Sequence, residues 1–349
     1  MPCVSAHVSG RRVLVVGAGR SGTTWVGEIL GRAKDATYVH EPDNFDWVPF
    51  AGRARAGLGL LPAIDAGADA PEPYARLWDA AFATGRPALR NRVATRLYGG
   101  LPEATKYAVI QPGGRARSLR HAVATRLAKA HTGSPGATHH VVKSVTVPLA
   151  LEWLAARYQP AVVLVRRHPL DVLASRVGFG TIFLANVHHY VDPDAMAQRV
   201  ERWGVPPRPP ATDGFAHLVW MAAFTMSAYD EVAARHAEFH VVDHETLRAD
   251  PQAQLRRLVD AVGLEWSDRA DEHLRASNRP GTGFETKRVA EAASSDGRDR
   301  LSPDQRRVAV EILSAFPVGK RYGDLAGTPV TAEPSGPSAD QASGEQFSP

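Results

Sequence analysis

Three glycines, one arginine and three hydroxyls fall within eight residues of this chain, Gly17-Ala18-Gly19-Arg20-Ser21-Gly22-Thr23-Thr24. The segment follows an apolar run, Val13-Leu14-Val15-Val16, and leads into Trp25-Val26, so it reads as a strand that breaks into a loop and then a helix. Backbone N–H groups at such a turn, and the positive end of the helix behind it, gather a compact anion. Two spacings compete for the loop. Gly17 and Gly22 fit the triphosphate pattern G-x-x-x-x-G-K-[ST], but Thr23 stands where a lysine must reach the β- and γ-phosphates, which argues against ATP or GTP hydrolysis. Gly17, Gly19 and Gly22 also satisfy the dinucleotide spacing G-x-G-x-x-G, with Glu41 or Asp43 available for a ribose; that reading gives an NAD(P)- or flavin-dependent oxidoreductase. Arg20 and the hydroxyls favour a smaller, more highly charged group than a pyrophosphate approached through bare glycine backbone. A non-catalytic nucleotide-binding module is a third reading.

A second stretch narrows the choice. Ala161-Val162-Val163-Leu164-Val165 is another buried-strand run, followed by Arg166-Arg167-His168-Pro169. Proline suits the first turn of a helix, and Ser175 then lies two helical turns beyond Arg167. In an open parallel sheet both strand ends face one crevice. The chain therefore carries two anion sites on one side, and a ligand with phosphates at two separated points fills both.

The residues from Gly19 to Trp25 resemble the 5′-phosphosulfate loop of the sulfotransferases, and Val163 to Arg176 resemble their 3′-phosphate motif, an arginine (Arg167) with a serine (Ser175) eight positions later. Tyr38-Val39-His40-Glu41-Pro42 is similar to a third segment of the carbohydrate and tyrosylprotein branches, its glutamate 21 positions past the loop arginine. The resemblance covers residues 11–45 and 139–180 and, loosely, the C-terminal third. It implies a P-loop-kinase-like sulfotransferase fold and 3′-phosphoadenosine 5′-phosphosulfate as co-substrate, with no metal. Gly19, Arg20, Ser21, Gly22, Thr23, Thr24 and Trp25 would hold the donor at one end, and Arg167 and Ser175 at the other; apart from the resemblance, the basic stretch Arg279–Arg288, with Lys287 and Arg288, reads either as a segment that closes over the 3′-phosphate or as an exposed loop. Arg20 and Lys143 would stabilise charge during transfer, and Glu41 would take the acceptor's proton. The acceptor implied is a hydroxyl of a glycan, glycolipid or secondary metabolite.

The chain departs from the family's pattern at four points. The small-molecule branch carries a lysine in its loop and a catalytic histidine after Lys-Thr; here Arg20 takes the first place, and Lys143-Ser144-Val145 puts valine in the second. His168 stands where aspartate is common in the 3′ motif. Val242-Asp243-His244-Glu245-Thr246-Leu247 resembles a segment near the nucleotide, with histidine in place of tyrosine.

The elements that must position these residues follow from periodicity and punctuation. Strands are expected at Val13–Val16, Thr37–His40, His139–Val142, Ala161–Val165 and Phe239–Val242, with helices at Pro148–Tyr158, Gly214–His236, Asp250–Val262 and Pro303–Phe316. Strands alternating with helices predict a doubly wound parallel sheet with flanking helices. Residues 1–325 are expected to form one domain and 326–349, rich in Pro, Ser, Gly, Ala and Thr, a disordered tail. Residues 46–138 form an insertion with arginines at 86, 90, 92, 96, 115, 117, 120 and 126; the ordinary reading is solvated helices, and the functional one an acceptor platform for something anionic. Residues 178–213 are expected to form a lid on the acceptor side. Within it, His188-His189 have no carboxylate or histidine set at metal-ligand spacing and read as surface histidines.

Composition sets outer bounds. A net charge of +4 over 349 residues suits an anionic ligand but is too small an excess to argue for nucleic acid. The single cysteine, Cys3, excludes an internal disulfide. No run approaches the roughly 20 apolar residues of a membrane span, and residues 1–12 lack a signal peptide's apolar stretch, so a cytoplasmic location is expected, in a chain whose Arg, Ala, Gly and Pro usage suggests GC-rich bacterial coding. Oligomeric state is not readable.

Overall fold

The computed structural model describes residues 10–86, 89–116, 118–177, 191–210, 212–277, 300–323 and 325. Lys287, Arg288 and His188-His189, all singled out above, lie outside the described residues. Five strands, β1 (Arg12–Val16), β2 (Ala36–His40), β3 (His139–Ser144), β4 (Ala161–Arg166) and β5 (His240–Asp243), pair in parallel in the order β2-β3-β1-β4-β5. This is the expected α/β architecture, a parallel sheet with helices on both faces.

The apolar runs of β1 and β4, and Val141-Val142 of β3, are explained by burial on both sides. Leu14, Val16, Val142 and Leu164 point into one cluster, whereas Val13, Val15, Val141 and Val163 point into the other. The second cluster holds α1 (Thr23–Leu30) and the helix Pro251–Ala261, through Val26, Ile29, Leu255 and Val259. The first holds the helix Leu151–Tyr158 and, unexpectedly, much of the 46–138 insertion: Tyr74, Leu77 and Trp78 are fully buried there. That insertion is thus partly core rather than wholly solvated. A third cluster forms under the long helix Gly214–Arg235, where Trp220 stacks on Phe224 and meets Phe316 edge-on. Complete burial of a phenylalanine such as Phe224 contributes roughly 1.5–3 kcal/mol.

Several boundaries shift for local reasons. Pro148 and Leu149 sit in a turn closed by the Ala150 N–H donating to the Val147 carbonyl (3.1 Å), so the helix begins at Leu151. Phe239 precedes β5 instead of opening it, its ring stacked on His236 at 4.6 Å. In the expected lid, the helix Pro193–Trp203 is docked: Trp203 packs on Phe224, and the Trp220 indole donates to the Pro206 carbonyl (2.9 Å).

The strand order also decides between the two loop readings. A dinucleotide fold places the second strand beside the first, so that its terminal acid reaches the ribose. Here β3 separates β2 from β1, and at 4.7–4.9 Å per strand spacing Glu41 starts about 10 Å from the loop's strand. The chain leaves β1 toward one edge of the sheet and β4 toward the other, which opens a crevice at their carboxyl ends.

Candidate active site

The loop between β1 and α1 forms one wall of that crevice. Gly17 has φ +152°, and a Cβ there would lie 2.4 Å from the Val165 carbonyl oxygen, so glycine lets β1 and β4 close up where they end. Gly22, at φ +98°, caps α1; a Cβ there would fall 2.5 Å from the buried His244 ring. Gly19, in contrast, is open: among the described residues only the Arg176 guanidinium lies within 4 Å of a built Cβ, at 3.6 Å. Ser21, Thr23 and Trp25 are buried, the Trp25 indole donating to Ser277 Oγ (3.1 Å), whereas Gly19, Arg20, Gly22 and Thr24 are half-buried. Ser21 Oγ has no hydrogen-bond partner among the described residues.

Arg20 is the loop's unusual residue. Its φ of 79° lies in the left-handed region that a long side chain seldom adopts, and such strain persists only where neighbours enforce it. Two do so. Arg167 Nη1 donates to the Arg20 carbonyl (3.0 Å), and Arg20 Nε donates to Ser175 Oγ (3.0 Å). The two motifs read separately from sequence are therefore joined through one arginine. Pro169 opens the helix Pro169–Val177 that carries Ser175 and Arg176. Arg176 also turns to the loop, toward the Gly19 carbonyl (3.5 Å), and burial pushes its guanidinium down to about 10. Arg20, Arg167 and Arg176 thus crowd around one short loop, a concentration of positive charge that calls for an anion.

Glu41 and Lys143 meet at the carboxyl ends of β2 and β3. Register pairs His40 on β2 with Lys143 on β3, and the Glu41 N–H donates to the Lys143 carbonyl (2.9 Å). Glu41 is also left-handed, with φ 39°. Its Oε1 is ion-paired with Lys143 Nζ, and its Oε2 accepts from Asn44 Nδ2 at 2.6 Å. Burial works to raise the Glu41 carboxyl, but the Lys143 charge and these two hydrogen bonds outweigh it and hold it below the ordinary carboxylate range. His40 shifts the other way for its type: burial, then the Lys143 cation, depress its imidazole, whose Nδ1 meets the Tyr38 hydroxyl at 2.9 Å.

Sequence reasoning missed the network that holds this turn. Asp43 is buried, and its Oδ2 accepts from Ser144 Oγ and Thr146 Oγ1, both at 2.7 Å. Arg55, fully buried, donates to the Asp43 carbonyl (3.0 Å), Thr146 Oγ1 (3.1 Å) and the Gly59 carbonyl (2.8 Å), and its guanidinium lies 5.0 Å from the Phe45 ring centre. Asn44 Oδ1 accepts from the Asp46 N–H (3.0 Å) while its amide holds Glu41. An Asn three residues past a candidate base was a readable signal; Arg55, one arginine among many in the insertion, was not. Beyond the crevice, the His168 N–H donates to Glu245 Oε1 (3.0 Å), which brings the segment after β5 against the Arg167 turn, and burial raises the Glu245 carboxyl. Among the described residues no cluster of His, Cys, Asp and Glu suits a metal ion. None of their helices is long and apolar enough to cross a membrane.

Comparison with known proteins places this geometry in context. A model of the sulfotransferase family matches residues 12–268. No curated protein matches the chain in sequence. Among solved structures, the sulfotransferase STF1 of Mycobacterium tuberculosis H37Rv is 15% identical, with 84% of this chain and 76% of that one covered and a TM-score of 0.36. STF9 of Mycobacterium avium is 14% identical, with 88% and 77% covered and a TM-score of 0.39. Mouse SULT7A1, solved in complex with PAP, is 11% identical, with 89% and 87% covered and a TM-score of 0.37.

Proposed function

The chain belongs to the sulfotransferase family, and we propose that it moves a sulfuryl group from 3′-phosphoadenosine 5′-phosphosulfate to a hydroxyl of a glycan, glycolipid or secondary metabolite, with Glu41 as base. The observation that carries the reading is the link between the two anion motifs, Arg167 on the Arg20 carbonyl and Arg20 on Ser175, together with a half-buried Glu41 whose carboxyl is held below the ordinary range. The residues fit such a donor. Gly19 leaves an open cradle, and three arginines surround it.

In this reading the acceptor oxygen bonds to sulfur as its proton passes to Glu41 Oε. The bond from sulfur to the bridging oxygen breaks with its electron pair left on the phosphate, and adenosine 3′,5′-bisphosphate departs. Sulfuryl transfer resembles phosphoryl transfer in having little covalent work for the protein, so positioning and charge stabilisation dominate. Arg20 and the loop N–H groups meet the charge growing on the bridging oxygen, as an oxyanion hole does. Lys143 keeps Glu41 ionised and adds a cation near the transferred group. The depressed His40 is neutral at neutral pH, and Val145 stands where the small-molecule branch has its histidine, so the carboxylate is the base this site supplies.

Donor recognition is tested by calorimetry. Adenosine 3′,5′-bisphosphate is expected to bind much more tightly than AMP, which lacks the 3′-phosphate. Arg167→Ala should remove most of that difference, a charge-assisted contact of roughly 1.5–3 kcal/mol. Equal affinity of the wild type for the two nucleotides would overturn the two-site reading.

A further inference from the structure

The outer part of the insertion carries charge and apolar surface that the sulfuryl-transfer site does not use. Residues 86–130 contain ten Lys and Arg against a single acid, Glu103, which leaves 31 Lys and Arg against 36 Asp and Glu in the rest of the chain. A molecule of modest net charge thus carries a strong local excess of positive charge in this segment. Two helices dominate it, Leu89–Gly99 and Leu119–Leu127. They run antiparallel. Asn91 and Lys129 exchange two hydrogen bonds, Asn91 Nδ2 to the Lys129 carbonyl (3.2 Å) and Lys129 N–H to Asn91 Oδ1 (2.8 Å), and at the other end Arg120 Nε donates to the Leu97 carbonyl (2.8 Å).

Each helix buries one face and leaves an aliphatic pair on the opposite one. Ala94 and Tyr98 of the first helix, and His121 and Ala124 of the second, are fully buried, with Tyr98 and His121 edge to face at 5.5 Å. At 100° per residue, Leu89 and Val93 lie across from the first pair, and Leu119 and Val123 across from the second. Their exposures are 75%, 50%, 82% and 37%, high for large aliphatics with a core available. Arg92 and Arg96 share the outward arc of the first helix and Arg126 that of the second. None of these three arginines has a carboxylate partner among the described residues. The hairpin is anchored to the candidate site itself: Tyr98 OH donates to the Phe45 carbonyl (2.5 Å), four residues past Glu41.

We propose that this helical hairpin is a docking surface for an anionic lipid bilayer, lying in the headgroup region without crossing the membrane. Outward leucines and valines at i, i+4 flanked by unneutralised arginines are the pattern of an interfacial helix: the aliphatics enter the acyl boundary while the guanidinium groups meet lipid phosphates. Charge complementarity selects this occupant. A second copy docking through the same face would bring like charge against like charge. A dissolved polyanion would engage the arginines and leave the four aliphatics in water. The docking does not depend on which donor the crevice holds.

Co-sedimentation of the full chain with vesicles tests the proposal. Binding is expected to equimolar phosphatidylglycerol and phosphatidylcholine, to be negligible with phosphatidylcholine alone, and to weaken as salt screens the arginines. Each cation near an anionic surface contributes roughly a fivefold factor, so the triple variant Arg92→Gln/Arg96→Gln/Arg126→Gln should bind on the order of 100-fold more weakly. Leu89→Ser and Leu119→Ser should each weaken vesicle binding about tenfold. All variants should keep wild-type affinity for adenosine 3′,5′-bisphosphate, which shows that they are folded. Equal binding to neutral vesicles, no binding to anionic ones, or leucine variants that bind as the wild type does would each overturn the proposal. So would a wild-type homodimer in sedimentation velocity that the leucine variants dissolve, since the face would then be an interface between copies.

Discussion

Glu41→Gln is expected to lower turnover by about 10²–10⁴ while leaving affinity for adenosine 3′,5′-bisphosphate near wild type, the range usual for loss of a general base. The amide preserves the shape of the side chain but cannot take a proton. It also leaves the buried Lys143 without its counter-charge, and breaking a buried pair costs on the order of 3–5 kcal/mol, so the thermal midpoint should fall as well. Measuring turnover well below that midpoint separates the two effects. The pH dependence gives an independent reading. Glu41 must be ionised to act, and its carboxyl is held below the ordinary range, so the acidic limb of the rate profile should lie below a free glutamate's pKa of about 4.3. The sign for stability is the same. With the folded pKa depressed, this group's contribution is present above the unfolded value and is lost as pH falls through the folded one. A near-normal Glu41→Gln enzyme, together with collapse on replacing His40, would move the proton transfer to the imidazole.

Much of this arrangement was legible in the sequence because its signals are local. Alternating burial on two faces makes β1 and β4 continuous apolar runs, Pro169 marks a helix start, and Gly17 and Gly22 mark a turn that no other residue tolerates. The strand order was the harder matter. Whether β2 lies beside β1 or beyond β3 leaves no local mark in either strand, and it adds a geometric argument against the dinucleotide reading of the glycines. The contacts that tie the site together were invisible for a related reason. Arg167 reaches a carbonyl 147 residues away and Arg20 a hydroxyl 155 away, and neither pairing leaves a periodic trace. The insertion misled in one respect. Its arginines read as solvated helices, and on the outer hairpin they are exposed, but Tyr74, Trp78 and the buried Arg55 serve the core and the Glu41 turn.

Arg20→Ala is expected to reduce turnover by about 10²–10³, and to do so more than it weakens binding of adenosine 3′,5′-bisphosphate. Charge on the bridging oxygen peaks during transfer, so a cation aimed at that oxygen is worth more there than in the product complex. The same substitution keeps a side chain at φ 79°, which makes a backbone effect separable from a charge effect. Glycine at position 20 relieves the strain, of the order of 1 kcal/mol, but removes the guanidinium just as alanine does. Arg20→Gly should therefore match or exceed the wild type's thermal midpoint while losing as much turnover as Arg20→Ala. Arg20→Lys should recover part of the rate, because it restores the cation without the fork that donates to Ser175. Ser175→Ala completes the set: it removes the hydroxyl that accepts from Arg20 and should lower turnover less than removing the arginine does. Wild-type turnover in Arg20→Gly would show that the loop works through its backbone N–H groups alone, and the arginine would then be a strut between the two motifs.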